Sequence, residues 1–417
     1  MKAFQQKMSR INSWLLILLA FSLPLSTSAI TVTAILIMVC WLLEGGFREK
    51  WKEIITNPVC IAVFVFFGVM LIGLCWTDSL PDGLEAIRKR WQILLLPIFL
   101  TAICWEQRWR YVAAFIAGVA VTMLLIDCAR FDLLHYGALA SLGHLTIISN
   151  HIVFTPMLAL ASYLLLHQLF WRGIKGAQRW AIMALVVLII LNIFITLGRS
   201  GQVAFFMLMV LLLLQYFRRN VLKAALLALV LLPLVFTAAY RLSPIFQERV
   251  DLAQQQIMTF EKNPDTPVGL RLLFWKNSWE IIRHSPWFGV GTGDFNSAYS
   301  RINLQASPHI PSTDNPHNQY IFITVQLGLL GLLSLLGLFG AQFYQAWRIR
   351  DGWQRIRLAF PLFFLVIMMT DSYLNTHSSG FLFSLFSAVL SKTSVNWQSM
   401  VALGPQGTAL IPSGEDG

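Results

Sequence analysis

Charge is scarce in this sequence. Only 12% of its 417 residues are Asp, Glu, Lys or Arg, about half the share usual in a soluble domain. A chain that is 57% hydrophobic and so poorly charged excludes an ordinary water-soluble fold. Cysteine is scarce too. Cys40, Cys60, Cys75, Cys104 and Cys128 lie in or beside apolar runs, and none forms a CxxC. That spacing excludes a disulfide framework and a zinc site and leaves small apolar packing residues. No DxD-like acidic pair stands in the long polar segment, so no metal is expected, and no motif calls for another cofactor. Titratable residues inside the apolar runs are few, whereas ion-coupled transporters rely on them. A transporter or flippase is therefore the weaker alternative, and His167, near the end of a run, reads as an interfacial residue.

What the chain has in abundance is apolar runs. Such runs, repeated and nearly free of charge, read as transmembrane helices. Spans are predicted near 14–28, 30–43, 58–76, 91–104, 112–127, 153–170, 180–197, 202–216, 224–240, 318–343, 358–370 and 381–394. The first two fit a hairpin better than one long helix, because Pro24 interrupts them. Lys2, Lys7 and Arg10 before an apolar stretch mimic a signal peptide, but a second apolar run follows at once, and a retained first helix is expected.

The net charge is +11. In a soluble chain this would suggest nucleic acid; here the basic residues crowd the short connectors, which points to topology instead. With the N-terminus inside, the inner segments together with Lys392, at the inner end of the last span, hold 19 basic residues and the short outer ones 5. The fold class is thus an all-α polytopic membrane protein of about twelve helices, both ends cytoplasmic. Its predicted parts are helices one to nine (1–240), an outward loop domain (241–317), helices ten to twelve (318–395) and a disordered Gly/Pro-rich tail (396–417).

The loop is too long for a mere connector. It holds seven basic and seven acidic residues, so it is a neutral small domain. An amphipathic helix is predicted over 246–261, a break at Asn263-Pro264-Asp265-Thr266-Pro267, and a second helix over 270–283 lying on the membrane surface. A glycine run with Gly289, Gly291 and Gly293 follows; no βαβ pattern surrounds it, so it reads as a backbone loop or phosphate nest rather than a dinucleotide fold.

Polar candidates gather at the outer ends of helices. Arg199 sits in a turn between two apolar runs, as an anion clamp or a snorkelling side chain. Arg271 stands among bulky apolar neighbours near Trp275 and needs an anionic partner or a route to water. Arg88-Lys89-Arg90 is a basic cluster on the side where topology disfavours one, and offers a second phosphate contact. His317, followed by Asn318, marks re-entry into the membrane. Pro316 predicts that His317 lies in the first turn of the next helix, where the helix dipole would keep its ring neutral.

These pieces, in this order, resemble the O-antigen ligase family, which shares its core with O-antigen polymerases. The resemblance rests on the Arg199 turn, Arg271-x-x-x-Trp275, Ser285-Pro286-Trp287-Phe288-Gly289-Val290-Gly291, and His317 ten residues before Gly328. It is strongest from about 190 to 335. Further arginines of such a loop have no clear counterpart among Arg249, Arg283 and Arg301. The resemblance implies a multi-pass enzyme of a bacterial inner membrane with its active site facing the periplasm. It implies a glycan donor linked to undecaprenyl pyrophosphate, a lipid A–core acceptor and no nucleic-acid partner. By the same resemblance His317 would be the base and Arg199 and Arg271 the pyrophosphate holders. Arg88, Arg90, Gly289, Gly291, Trp275 and Asn318 are candidate substrate contacts. A polymerase using the same donor is the alternative.

Overall fold

The computed structural model describes residues 2–130 and 151–393; the tail expected to be disordered, 396–417, lies outside them. Among the described residues every regular element is helical. The N-terminal part holds α1 (Lys2–Ser22), α2 (Thr27–Glu44), α3 (Phe47–Thr56), α4 (Pro58–Ile72), α5 (Leu80–Arg88), α6 (Leu96–Ala102) and α7 (Arg108–Arg130). After the undescribed stretch come α8 (His151–Trp171), α9 (Gly176–Ile195), α10 (Arg199–Tyr216) and α11 (Val221–Leu242). The long polar segment folds into α12 (Pro244–Met258), α13 (Pro267–His284) and α14 (Phe295–Ala306). The chain closes with α15 (Gln319–Arg348), α16 (Gln354–Ile367) and α17 (His377–Ser391).

Local chemistry sets these boundaries. Pro24 falls in the turn between α1 and α2, and the Ser26 hydroxyl accepts from the Ala29 N–H to cap α2. Thr266 caps α13 in the same way, with Pro267 in its first turn, which is the break the Asn-Pro-Asp-Thr-Pro stretch predicts.

A helix occupies every predicted span, yet the helices differ in reach. Eight are long and apolar enough to cross a membrane, while Trp91–Ala102 and His377–Ser391 are apolar but shorter. Twelve crossings therefore stay an expectation; the polytopic, all-helical character does not. The surface fits lipid as solvent. On α11, Leu222 and Leu229 are each 71% exposed, which water would oppose and hydrocarbon would not. At the other extreme, every residue from Ser378 to Ser391 of α17 is buried. Its serine hydroxyls are answered inside the bundle: Ser384 donates to the Gln92 carbonyl at 2.7 Å and Ser387 accepts from Gln342 at 3.2 Å.

The helix predicted over 270–283 forms as α13, packed against protein on one side. One face of α13, with Leu273, Phe274, Asn277 and Ile281, is buried, and it packs on α14 and α15. Behind it the glycine run plugs into the bundle. The amides of Val290 and Gly291 donate to the carbonyls of Val325 and Gln326, each at 2.9 Å. There α15 breaks: Gly328 has φ of +59°. The amides freed at the break, Leu329 and Leu330, donate instead to the Pro286 and Trp287 carbonyls. A Cβ on Gly328 would stand 2.3 Å from the Trp287 carbonyl carbon, and one on Gly289 would stand 2.4 Å from that of Gln326. Two glycines therefore let two backbones touch.

Candidate functional site

Arg199 opens α10. Arg271 lies in the first turns of α13, and Arg249 in the middle of α12. These three helices, with the segment after α16, enclose a cleft of about 460 Å³. Arg199, Arg249 and Arg271 all line it, with Trp275, Thr196 and Tyr373 beside them and Leu197, Val203 and Ile257 supplying an apolar side. Among the described residues none of the three guanidinium groups has a carboxylate within ion-pair distance. Arg249 and Arg271 both act electrostatically on Arg199, whose Nη2 donates to the Arg249 carbonyl at 3.3 Å. Three like charges held together without a counterion repel one another and attract an anion. The Thr196 hydroxyl in the same wall is buried and has no partner among the described residues.

His317 stands beside this cleft rather than in its wall. It is not in the first turn of α15, as Pro316 predicts. The helix begins at Gln319, and Asn318 is its cap, accepting from the Tyr320 and Ile321 amides at 3.0 and 3.2 Å. The dipole argument for His317 therefore lapses, because the ring lies outside the helix. His317 is the one non-glycine among the described residues with positive φ, +51°. Such a conformation costs on the order of 1–3 kcal/mol and persists where surroundings enforce it. They do: the His317 amide donates to the Asn315 side chain at 2.9 Å, the ring lies parallel to Phe274, and Nδ1 meets Asp371 Oδ1 at 3.2 Å. No protein group bonds Nε2 among the described residues.

Asp371 escaped the sequence reading. It lies between α16 and α17, next to Thr370 and near Tyr373, both of which line the cleft. Burial works to raise its carboxyl, but hydrogen bonding and charge from His317, the Ser372 amide and the field of Arg271 hold it below the ordinary carboxylate value. An ionised carboxylate on Nδ1 fixes the ring's orientation and its tautomer, leaving Nε2 as the acceptor of a proton. Burial pushes the Tyr373 hydroxyl up, so it stays neutral, donating to the Ile152 carbonyl at 2.9 Å.

The remaining candidates fall elsewhere. Trp275 lines the cleft, and its Nε1 donates to the Pro316 carbonyl at 2.9 Å, tying α13 to the residue before His317. Asn318 is spent as a cap. The amides of Gly289 and Gly291 are spent on the Ser285 and Gln326 carbonyls, so the glycine run is a backbone joint and not a phosphate nest. Arg88 is exposed and paired with Glu85; it does not line the cleft. Neither does Arg90, which is 1% exposed, lies over the Phe322 ring and donates to the Asn375 side chain at 2.7 Å. Burial lowers its pKa to about 10, still far above neutrality. Through Asn375 it holds the segment that carries Asp371. Of the loop arginines, Arg283 pairs with Glu280 and Arg301 with Asp78, which leaves Arg249 as the third member of the cleft.

The fold, with its lipid-facing apolar helices and a cationic cleft at one end of the bundle, defines a polytopic membrane protein. Within it, residues 183–336 match the family model described as O-antigen ligase. Over that stretch, a little over a third of its length, the chain is similar to the O-antigen ligase family, a similarity that supports a ligase- or polymerase-type glycosyl transfer. The match takes in Arg199, Arg249, Arg271 and His317 but stops short of Asp371. No curated protein matches the chain.

Proposed function

We propose that this protein is an O-antigen ligase of a bacterial inner membrane, working at the periplasmic face. Its donor is a glycan on undecaprenyl pyrophosphate, and its acceptor is a sugar hydroxyl of lipid A–core. The observation that carries the reading is the cleft itself: three arginines without carboxylates, an apolar side suited to a lipid chain, and a His–Asp pair at its edge. A lipid pyrophosphate is the substrate such a lining would favour, and one chemically activated for sugar transfer.

In the reaction, His317 Nε2 accepts the proton of the acceptor hydroxyl as its oxygen attacks the anomeric carbon. The bond from that carbon to the pyrophosphate oxygen breaks, and the configuration inverts. Arg199, Arg249 and Arg271 stabilise the charge that develops on the leaving pyrophosphate. Asp371 balances the imidazolium formed. In this reading 1–240 and 318–395 form the scaffold and 241–317 the loop that completes the cleft.

The test is lipopolysaccharide from a deletion strain. Core devoid of polysaccharide, with lipid-linked polymer accumulating, is expected. A single repeat unit left on core would mean a polymerase, and lipid-linked units left unflipped a flippase.

A further inference from the structure

The end of the bundle away from the cleft carries a second group of cations without counterions. Ile152 of α8 lines the cleft; His167 lies fifteen residues further along the same helix, about 22 Å at 1.5 Å per residue. Tyr216, at the far end of α10 from Arg199, and Arg355, at the start of α16, reach the same level. There Arg172 lies over the Trp109 ring, 4.3 Å from its centroid, and Arg355 over the Trp171 ring, 4.5 Å from its centroid. His167 touches both rings, 6.3 Å from Trp109 and 4.9 Å from Trp171.

Among the described residues no carboxylate neutralises this group. Among the described residues neither Arg172 nor Arg355 has a carboxylate within ion-pair distance; the nearby Asp351 is taken by Arg108 and Arg357. Arg355 instead feels the further charge of Arg218, and both Arg172 and Arg355 act on His167. His167 is 2% exposed, and both its ring nitrogens lack a hydrogen-bond partner among the described residues. A buried imidazole left unpaired in the field of two cations is costly, and an anion's oxygen bound to it would relieve both defects. The site is held in shape: the Tyr163 hydroxyl and the Gln215 amide each donate to the Arg355 carbonyl at 3.1 Å.

We infer that Arg172, Arg355 and His167 form a binding site for the headgroup of an acidic phospholipid, at the membrane face opposite the transfer cleft. A lipid rather than a free anion is indicated by the apolar collar. Phe170 and Tyr216 are 48% and 51% exposed and pack on each other beside the arginines, where acyl chains would lie. Aromatic rings and guanidinium groups at the end of spans are the chemistry of a membrane interface, and basic pockets between helices take acidic headgroups. The inference stands apart from the transfer reaction and survives if that reading fails.

Native mass spectrometry of the full chain in neutral detergent tests it, with phosphatidylglycerol, phosphatidylcholine and inorganic phosphate as probes. Wild type is expected to retain phosphatidylglycerol at about tenfold lower concentration than phosphatidylcholine. R172Q/R355Q should erase that preference, R172K/R355K should keep part of it, and H167F, which preserves the ring stack, should weaken it a few fold. Equal retention of the two lipids by wild type would overturn the inference. So would an undiminished preference in R172Q/R355Q or, should that variant not fold, in H167F. Displacement of the lipid by equimolar inorganic phosphate would assign the site to a small anion and overturn the lipid claim.

Discussion

Arg249 carries the sharpest prediction at the scale of single residues. Sequence alone left it level with Arg283 and Arg301, yet only Arg249 lines the cleft without an acidic partner. Charge-assisted contacts contribute about 1.5–3 kcal/mol each, so Arg249→Ala should slow transfer roughly ten- to a hundredfold. Arg199→Ala and Arg271→Ala should do the same in a purified assay at low donor concentration. Arg283→Ala should leave the rate near wild type. For the base, His317→Gln should leave under about a hundredth of single-turnover chemistry in protein that still binds donor lipid; retention of a tenth would remove the role. Asp371→Asn should reduce the rate as well. It also has a stability signature. Because the folded carboxyl is held below its ordinary value, its stabilisation is fully present above about pH 4 and is lost as pH falls through the lowered value. The melting-temperature gap between wild type and Asp371→Asn should be steady near neutrality and close in acid.

Among elements, α15 is the one whose continuity matters most. Alanine at Gly328 would face both a positive φ and a Trp287 carbonyl carbon 2.3 Å from its Cβ. Gly328→Ala is expected to destabilise the fold by about 2–5 kcal/mol, seen as a lowered melting temperature, whereas Gly337→Ala, with open space around it, should not. The sequence made the elements legible because hydropathy repeats over every span and Pro or Ser/Thr marks several helix starts, as at α2, α4, α5, α12 and α13. It did not reveal the break at Gly328, since a glycine in an apolar run is silent until another backbone presses on it. It misplaced His317 by weighing Pro316 as a first-turn residue over Asn318, the stronger cap. Asp371 was invisible for another reason: 54 residues separate it from its histidine, and a lone carboxylate at the end of a span has no pattern. One signal was readable and missed. Glu280 and Arg283 stand three apart on a helix, a spacing that pairs charges and withdraws Arg283 from the candidates.

For the whole molecule, topology is the open expectation. The cleft residues gather at one end of the bundle, as alternating spans require, and the charge asymmetry assigns that end to the outside. Gln305→Cys, on exposed chain at the end of α14, should react with an impermeant maleimide in intact spheroplasts. The background must lack the native cysteines, because Cys75 is itself exposed; reaction only after the inner membrane is opened would reverse the orientation. The joint at Gly289 and Gly328 bears on how such a protein diversifies. The loop 241–317 is no detachable cassette, since its carbonyls complete the hydrogen bonding of α15, a helix long and apolar enough to cross a membrane. Thr292 and Asp294 bind equally into the chain around Met70 and Thr77. A chimera that exchanges 241–317 alone should therefore misassemble. One that also carries the stretches around 70–83 and 325–330 transplants both faces of the joint, and is expected to assemble as the parent does.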